Sequence, residues 1–363
     1  MKKIRINLAK KSYDILICHN EIDKLGKSLK PLKIGRDALI ITNPLIKRLF
    51  GNRIKRSLAS SGFRVSFEIV PDTEKAKSEK YCIRLLNSIS KSDNVDRRIF
   101  IVALGGGVVG DLAGFVASIY KRGIPYIHVP TTLLAQVDSA IGGKVAIDLK
   151  VGKNLAGSFY QPRLVFSDSS LLKTLQKNDL ISALAEVIKY GIIKSPSLFK
   201  FLEKNYKKIL KGDKHALQYI IYTCSRIKAR VVEKDEEDKK NIRVILNLGH
   251  TIGHAIEAAS SYSKSYSHGQ AVGLGILSAS FVSSELGLLD EEVYLRIKTL
   301  IKKIGLAVTI KNLDSEDIFL AQEHDKKFIH GTNRLVLPVG IGKTVIKENI
   351  PKSLIRKSIA SIS

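Results

Sequence analysis

Residues 99–111, IFIVALGGGVVGD, join an apolar, β-branched run directly to a cluster of glycines. Such a run is typical of a buried strand, and the glycines mark the point where a strand ends and a helix begins. Similar strand-like segments, DALIITN, RVSFEIV, IPYIHVP and RLVFSD, alternate with helix-like segments through the first half of the chain. This alternation predicts a mostly parallel sheet in an α/β, Rossmann-like nucleotide-binding domain.

The two ends of the chain differ from this pattern. The N-terminal segment MKKIRINLAKKSYDILICHN predicts two strands joined by a basic turn. It begins with basic residues but lacks the long apolar segment and the cleavage site of a signal peptide. After about Ser170, long periodic apolar patterns predict helices. We therefore expect a nucleotide-binding α/β domain over residues 1–170 and an all-α domain over residues 171–363.

The net charge of the 363-residue chain is +26, from 60 Lys and Arg against 34 Asp and Glu. Such an excess attracts anions, although lysines that merely solvate helix faces are an alternative explanation. No basic helix with interleaved aromatic residues occurs, so we expect no specific nucleic-acid partner. No apolar run reaches about 18 residues, so we expect no membrane span. The three cysteines are widely spaced, which argues against a disulfide framework and favours the cytoplasm.

Two glycine-rich segments are candidates for anion binding. At residues 105–107 and 110, glycine lets backbone N–H groups approach a phosphate at a helix N-terminus, although a plain tight turn is the alternative. The segment from Pro130 to Pro162 sets lysines and small polar residues among glycines. Lysines supply cationic donors to an anion, and loops of this length are usually functional; a solvated loop is the alternative.

A third group of residues has the composition of a metal site. His250 and His254 are spaced i, i+4 and share a helix face, and His268 follows closely. Glu186 and Lys189 are spaced i, i+3 within an apolar helical pattern. One carboxylate with imidazoles would complete an N/O site for a divalent metal. The alternatives are interior histidines without a metal, and a surface pair of Glu186 with Lys189.

Together these segments resemble the 3-dehydroquinate synthase family of sugar phosphate cyclases. The resemblance covers about residues 70–342 and rests on GGGVVGDLAGFVASIYKRGIPYIHVPTTLLAQVDSAIGGKVAIDLKVGKNLAGSFYQP, AEVIKYG, NLGHTIGHAIE with HG, and DKK. It implies an NAD-binding N-terminal domain and a helical domain with one divalent metal, zinc or cobalt. It also implies a lyase of the shikimate pathway, which leads to chorismate and the aromatic amino acids. The substrate would be 3-deoxy-D-arabino-heptulosonate 7-phosphate, and the products 3-dehydroquinate and phosphate.

The family reaction, as the resemblance implies it, oxidises a hydroxyl transiently with NAD, eliminates phosphate, reduces the ketone, opens the ring and closes the carbocycle by an aldol step. The implied metal ligands are Glu186, His250 and His268. The implied catalytic residues are Lys189, His254, Asp138 and Asn247. The implied cofactor-binding residues are Asn43, Glu74, Lys77, Gly105, Gly106, Gly107, Asp111, Thr131, Thr132, Lys144, Lys153 and Thr174. The implied substrate-binding residues are Arg122, Lys144, Lys153, Asn154, Lys228, Arg243 and one of Lys326 and Lys327. In the family, the counterpart of Arg122 reaches the neighbouring subunit, which implies a homodimer.

The sequence departs from the family pattern at several positions. The family usually reads HGE where this chain has His268-Gly269-Gln270. We therefore expect the carboxylate that orients the imidazole to be lost, weakening metal binding about tenfold or more. An acidic residue that lines the site is ambiguous between Glu237 and Asp238. The rival functions are another sugar phosphate cyclase, a metal-dependent polyol dehydrogenase and an inactive relative. Lys228 and Arg243 favour a substrate with a carboxylate.

Overall fold

The structure is a computed structural model that describes residues 1–93, 98–261, 266–323 and 333–363. The chain forms two compact units. The first comprises Met1–Leu175 and Leu217–Glu237, and the second comprises Gln176–Ala216 and Asp238–Ser363. The segment 217–237 therefore packs with the α/β part of the chain, although it follows the first helices of the second unit.

A seven-stranded sheet organises the first unit. The strands of this unit are β1 (Lys2–Ile6), β2 (Tyr13–Cys18), β3 (Asp37–Thr42), β4 (Arg64–Ile69), β5 (Ile99–Gly105), β6 (Tyr126–Pro130), β7 (Lys144–Leu149), β8 (Gly152–Phe159) and β9 (Leu164–Asp168). The order in the large sheet is β1-β2-β9-β6-β5-β3-β4. Within this large sheet, as far as the chain is described, β1 pairs antiparallel with β2 and all other neighbouring strands are parallel. The predicted parallel α/β domain is confirmed, and so is the N-terminal pair of strands.

Helices cover both faces of this sheet. The helices of the first unit are α1 (Leu25–Leu29), α2 (Pro44–Ile46), α3 (Asn52–Ala59), α4 (Glu79–Ser92) and α5 (Gly107–Ile119), together with most of α8 (Lys214–Lys234). Short 3₁₀ or π segments occur at Ala9–Lys11, Ile22–Lys24, Lys30–Leu32, Lys47–Gly51, Glu74–Ala76, Tyr120–Arg122, Ala135–Ser139 and Ser169–Thr174. Along β3, Ile40 packs with Ile54 of α3 and Leu39 packs with Leu112 of α5. The central strands β3, β5, β6 and β9 are buried on both faces, which explains their nearly continuous apolar sequences.

The segment from Pro130 to Pro162 is more ordered than the expected loop. Strands β7 and β8 pair as an antiparallel hairpin, with Lys144 opposite Phe159 and a bulge between Ile147 and Leu149. The alternating small and polar residues hid these strands from the sequence pattern. Hairpin pairing satisfies the backbone groups of this segment, and Val145 and Ile147 of β7 are buried in the apolar core.

The second unit is mainly helical, as predicted. Its helices are α6 (Lys177–Lys194), α7 (Pro196–Leu210), the start of α8, α9 (His250–Ala259), α10 (His268–Glu285), α11 (Glu291–Ile304), α12 (Ser315–Glu323) and α13 (Lys352–Ala360), with a 3₁₀ turn at Arg243–Asn247. The sequence did not indicate the antiparallel hairpin of β10 (Arg334–Gly340) and β11 (Lys343–Glu348). Across the four described ranges, no helix has both the length and the apolar composition that crossing a membrane requires.

Candidate functional site

The glycine cluster lies at the carboxyl end of β5 and opens α5. Gly106 is the N-cap of α5, so the backbone N–H groups of the first turn have no partner within the helix, and Gly106 and Gly107 are half-buried. Side chains at these positions would crowd the neighbouring loop. A Cβ on Gly106 would lie 3.0 Å from Thr132 Cγ2, and a Cβ on Gly107 would lie 3.2 Å from Ser139 Oγ. The arrangement suits close approach of a phosphate to the backbone.

Lys77 contacts three other predicted site residues. Its side chain is only 4% exposed, and its Nζ lies 2.9 Å from Asp111 Oδ2 and 3.7 Å from Glu74 Oε1. It also donates a hydrogen bond to Asn154 Oδ1 on β8. Burial raises the pKa of Asp111 to about 6, although the Lys77 ammonium opposes this effect. The structure therefore brings predicted cofactor residues and one predicted substrate residue into a single polar cluster.

The remaining predicted cofactor residues occupy loop ends of the sheet. Asn43 follows β3 and caps α2, because its Oδ1 accepts a hydrogen bond from Ile46 N at 2.8 Å. Thr131 directly follows β6, and its N–H donates to Gly105 O at 3.0 Å. Thr132 Oγ1 accepts from Ala135 N at 3.2 Å. Thr174 donates to a backbone carbonyl within its own 3₁₀ turn. Asn43, Thr131 and Thr132 follow carboxyl ends of parallel strands, the usual position of ligand-binding loops.

Four further predicted substrate residues lie in the first unit. Lys228 of α8 is 7% exposed, and its Nζ donates to Asp138 Oδ1 at 2.7 Å and to Asp138 O at 2.9 Å. Lys144 and Lys153 are exposed on the β7–β8 hairpin. Arg122 is exposed in the turn before β6 and has a left-handed backbone, with φ of 62°. The pair of Lys228 with Asp138 was not foreseen, because 90 residues separate its members.

Glu186 and Lys189 form a buried ion pair on α6. The side chain of Glu186 is 1% exposed and that of Lys189 is 2% exposed, and Lys189 Nζ contacts Glu186 Oε2. The alternative of a surface pair is therefore wrong. Burial by itself raises the pKa of Glu186, but the positive charge of Lys189 and the nearby imidazoles hold that pKa well below its ordinary value. The Glu186 carboxylate is therefore ionised although it is buried among apolar side chains. Buried charges of this kind are paired with an opposite charge or coordinate a metal.

Glycines allow α6, α9 and α10 to approach closely enough to bring the histidines to Glu186. Gly249 precedes α9 with φ of 79°, and a Cβ on Gly275 would lie 1.9 Å from its carbonyl oxygen. A Cβ on Gly269 would lie 1.8 Å from Ser182 O of α6. Ser182 Oγ also accepts a hydrogen bond from Gly269 N at 3.0 Å, which anchors the start of α10 beside Glu186. These contacts explain why NLGH and HG contain glycine.

The carboxylate and the two imidazoles have the geometry of a metal site. Glu186 Oε1 lies 3.5 Å from His250 Nε2 and 3.4 Å from His268 Nε2. Oxygen and nitrogen ligands about 2.0–2.1 Å from a tetrahedral ion would be separated by about 3.4 Å. Glu186 Oε1 is buried and accepts no hydrogen bond from any described residue, which leaves it available to a cation. Three protein ligands leave a fourth position open, as in catalytic rather than structural sites.

Of the other predicted residues of the second unit, His254 lies beside this cluster. The ring centroid of His254 lies 5.4 Å from that of His250 and 6.4 Å from that of His268. Arg243 and Asn247 lie at the two ends of the 3₁₀ turn before α9, where Arg243 is 3% exposed. Lys326 and Lys327 lie outside the described residues. His254 therefore adjoins the cluster without being one of its three ligands.

Comparison with known proteins gives the family. Residues 67–182 match the model for the 3-dehydroquinate synthase N-terminal domain, and residues 183–328 match the model for the C-terminal domain. The chain belongs to the 3-dehydroquinate synthase family. It is 44% identical to a 3-dehydroquinate synthase from Thermodesulfovibrio yellowstonii, over 98% of this chain and 99% of the relative. It is 43% identical to one from Desulforamulus reducens, over 97% of this chain and 98% of that relative.

Solved structures agree with this family assignment. A 2-deoxy-scyllo-inosose synthase complexed with carbaglucose-6-phosphate, NAD⁺ and Co²⁺ superposes with a TM-score of 0.89 at 27% identity, covering 99% of both chains. An NADH-dependent butanol dehydrogenase from Thermotoga maritima superposes with a TM-score of 0.66 at 14% identity, over 96% of both chains. The second similarity concerns the fold alone. The predicted fold class and family resemblance are both confirmed.

One expectation about the metal cluster is wrong. We expected Gln270 to leave the imidazole of His268 without a carboxylate. In the structure, Glu257 Oε2 lies 3.6 Å from His268 Nδ1, whereas Gln270 Oε1 accepts a hydrogen bond from Ala307 N at 2.6 Å. Burial alone lowers the pKa of His268, but the Glu186 and Glu257 carboxylates together raise it to about 10. The sequence contained a signal for this contact. Glu257 follows His250 by seven residues, so helical periodicity places both residues on the same face of α9.

Proposed function

We propose that this chain is an active 3-dehydroquinate synthase. It would convert 3-deoxy-D-arabino-heptulosonate 7-phosphate to 3-dehydroquinate and phosphate, as a carbon–oxygen lyase of the shikimate pathway. The observation that carries the proposal is the carboxylate–imidazole cluster of Glu186, His250 and His268, in a chain 44% identical to a 3-dehydroquinate synthase over nearly its whole length. We further propose residues 1–170 as the cofactor domain and residues 171–363 as the metal and substrate domain, with 217–237 packed on the former.

The first unit is proposed to bind NAD. Bound NAD would accept a hydride from the substrate and return it, so that it shows no net turnover. The N-terminal turn of α5, with Gly105, Gly106 and Gly107, is suited to hold the pyrophosphate. Lys77 pairs with the half-buried Asp111 carboxylate beside that turn, which would reduce its repulsion of the pyrophosphate. The other residues proposed to bind NAD are Asn43, Glu74, Thr131, Thr132, Lys144, Lys153 and Thr174.

The cluster of Glu186, His250 and His268 is proposed to hold one zinc or cobalt ion. A bound ion would polarise the substrate hydroxyls as a Lewis acid. Lys189 holds the Glu186 carboxylate ionised and is placed to stabilise negative charge that develops next to it. His254, one helical turn from His250, is proposed to move a proton at the reacting hydroxyl or at ring opening. Asn247 and Asp138 are proposed to orient the substrate hydroxyls.

The substrate offers one phosphate and one carboxylate, and the cationic side chains are assigned accordingly. Lys144 and Asn154 are proposed to orient the phosphate, and Lys153 is proposed to lie between cofactor and substrate. Lys228 and Arg243 are proposed to bind the carboxylate, because a cationic donor with a buried stem gives a strong charge-assisted hydrogen bond. Arg122 is proposed to reach the neighbouring subunit of a homodimer. The cytoplasm is the proposed location, which agrees with three free cysteines among the described residues.

Phosphate release tests the function directly. Purified protein is given the heptulosonate phosphate and NAD, then EDTA, then zinc or cobalt. We expect phosphate and dehydroquinate in equal amounts, no net NADH, loss of activity with EDTA and its return with metal. Binding of NAD and metal without phosphate release would assign the chain to another cyclase reaction, such as that of the solved 2-deoxy-scyllo-inosose synthase. A protein that binds no metal would contradict the proposed site itself.

A further inference from the structure

Both ligand imidazoles of the cluster present one ring nitrogen to Glu186 and the other to an oxygen acceptor. The Nε2 atom of His250 lies 3.5 Å from Glu186 Oε1, and its Nδ1 lies 3.2 Å from Leu248 O. The Nε2 atom of His268 lies 3.4 Å from Glu186 Oε1, and its Nδ1 lies 3.6 Å from Glu257 Oε2. The two rings therefore differ in one respect: a neutral carbonyl faces His250, and a carboxylate faces His268.

An oxygen next to Nδ1 decides how an imidazole can bind a cation. A neutral ring that ligates through Nε2 carries its proton on Nδ1, and an acceptor at Nδ1 selects this tautomer and fixes the ring orientation. A carboxylate acceptor also makes Nε2 more basic and hence a stronger ligand. His268 has more need of such support, because its side chain is 34% exposed, against 13% for His250.

Glu257 reaches His268 from a different helix. It lies on α9, whereas His268 begins α10, and its side chain is 14% exposed. Gln270, two residues beyond His268, uses its side-chain oxygen to accept from Ala307 N. Among the described contacts, the carboxylate nearest to Nδ1 of His268 that is not itself a ligand of the cluster is therefore that of Glu257.

We propose that Glu257 is a positioning residue of the metal cluster. Its carboxylate faces the Nδ1–H of His268 at 3.6 Å and thereby holds Nε2 toward Glu186 and the cation. The proposal rests on the metal site described under the proposed function. Position 270, two residues after His268, is Gln and has no carboxylate. In this proposal, Glu257 of α9 supplies the carboxylate that orients the imidazole of His268.

Metal affinity of the full-length protein tests this role without using catalysis. The metal-free wild type, Glu257→Ala and Glu257→Gln are titrated with Co²⁺ and with Zn²⁺ against a competing chelator. Removing an orienting carboxylate typically weakens binding about 10- to 100-fold, so we expect that loss in Glu257→Ala. Glu257→Gln keeps an oxygen acceptor of the same reach without the charge, so its loss should be smaller. The visible spectrum of bound Co²⁺ should change in Glu257→Ala and remain closer to wild type in Glu257→Gln.

Two controls separate this role from general stability. Glu285→Gln removes a carboxylate of α10 that pairs with Lys357 at 2.6 Å in the same unit, and its metal affinity should equal that of wild type. Gln270→Glu restores the residue usual in the family. If Gln270→Glu tightens binding tenfold while Glu257→Ala leaves it unchanged, the orienting role belongs to position 270 and the proposal is overturned.

The outcomes distinguish this inference from the function on which it rests. A wild type that binds neither metal contradicts the metal site and the role of Glu257 together. A wild type that binds metal with the same affinity and Co²⁺ spectrum as both Glu257 variants contradicts the role of Glu257 alone. If Glu257→Ala does not fold, the comparison of Glu257→Gln with wild type and Glu285→Gln decides: equal affinity in all three overturns the proposal.

Discussion

Replacing Lys189 with methionine removes one positive charge from the metal cluster while keeping a side chain of similar length. Lys189 is 2% exposed and contacts Glu186, which is 1% exposed. If its ammonium stabilises charge that develops during turnover, its loss should lower kcat about 10²- to 10³-fold, as for the loss of one preorganised donor. Metal content should stay at the wild-type value, because none of the three ligands is changed.

The same substitution should destabilise the metal-free protein. Breaking a buried ion pair by removing one partner costs about 3–5 kcal/mol, because the other charge stays buried without compensation. A bound divalent cation would itself compensate Glu186, so the loss should shrink when metal is present. Urea unfolding of Lys189→Met and wild type, each with and without Zn²⁺, measures both differences in the free energy of unfolding.

Lys194→Met is the matched control, since Lys194 is an exposed lysine on the same helix. Its kcat should equal that of wild type, and its free energy of unfolding should change by at most about 0.5 kcal/mol. Wild-type turnover in Lys189→Met would refute the catalytic role. Equal destabilisation of Lys189→Met with and without metal would refute the argument that the cation and Lys189 compensate the same carboxylate.

Three further predictions follow from contacts in the two units. Gly269→Ala would place a Cβ 1.8 Å from Ser182 O at the start of α10, so a competing chelator should show metal binding weakened about tenfold. Gly273→Ala is the control: its Cβ would lie 3.7 Å from the nearest atom, so this variant should bind the metal with wild-type affinity. Lys77→Met removes the buried ammonium beside the first turn of α5 together with its contacts to Asp111 and Asn154, and calorimetry should show NAD binding weakened about 10- to 100-fold. Burial lowers the pKa of His128 from 6.5 to about 4. Between pH 6.5 and 4 the folded state therefore binds fewer protons than the unfolded state. As the pH falls through this range, the free energy of unfolding of wild type should drop by about 3 kcal/mol relative to that of His128→Val. If the free energy of unfolding of the two proteins depends on pH in the same way, the prediction is contradicted.

Much of the fold followed from local patterns. The strand ending at Gly105 and the helices around Glu186 and His250 were predictable, because buried segments leave long apolar runs in the strand and in the helix of Glu186, and the histidines keep helical spacing. The β7–β8 and β10–β11 hairpins were missed. Strands β7 and β10 each bury three or four successive residues, whereas β8 and β11 are largely exposed or half-buried, so no alternation of period two marks any of them.

The candidate site divides in the same way. The sequence by itself determined the ligand types, the helical spacing of His250 and His254, and the family, because these properties are local or depend on residue identity. Only the tertiary structure decided that Glu186 and Lys189 are buried together, that Lys228 meets Asp138, and that Glu257 rather than Gln270 faces His268. Each of these contacts depends on how chain segments pack against one another, and packing is set by side-chain volume and close glycine contacts across many residues, which no local period records.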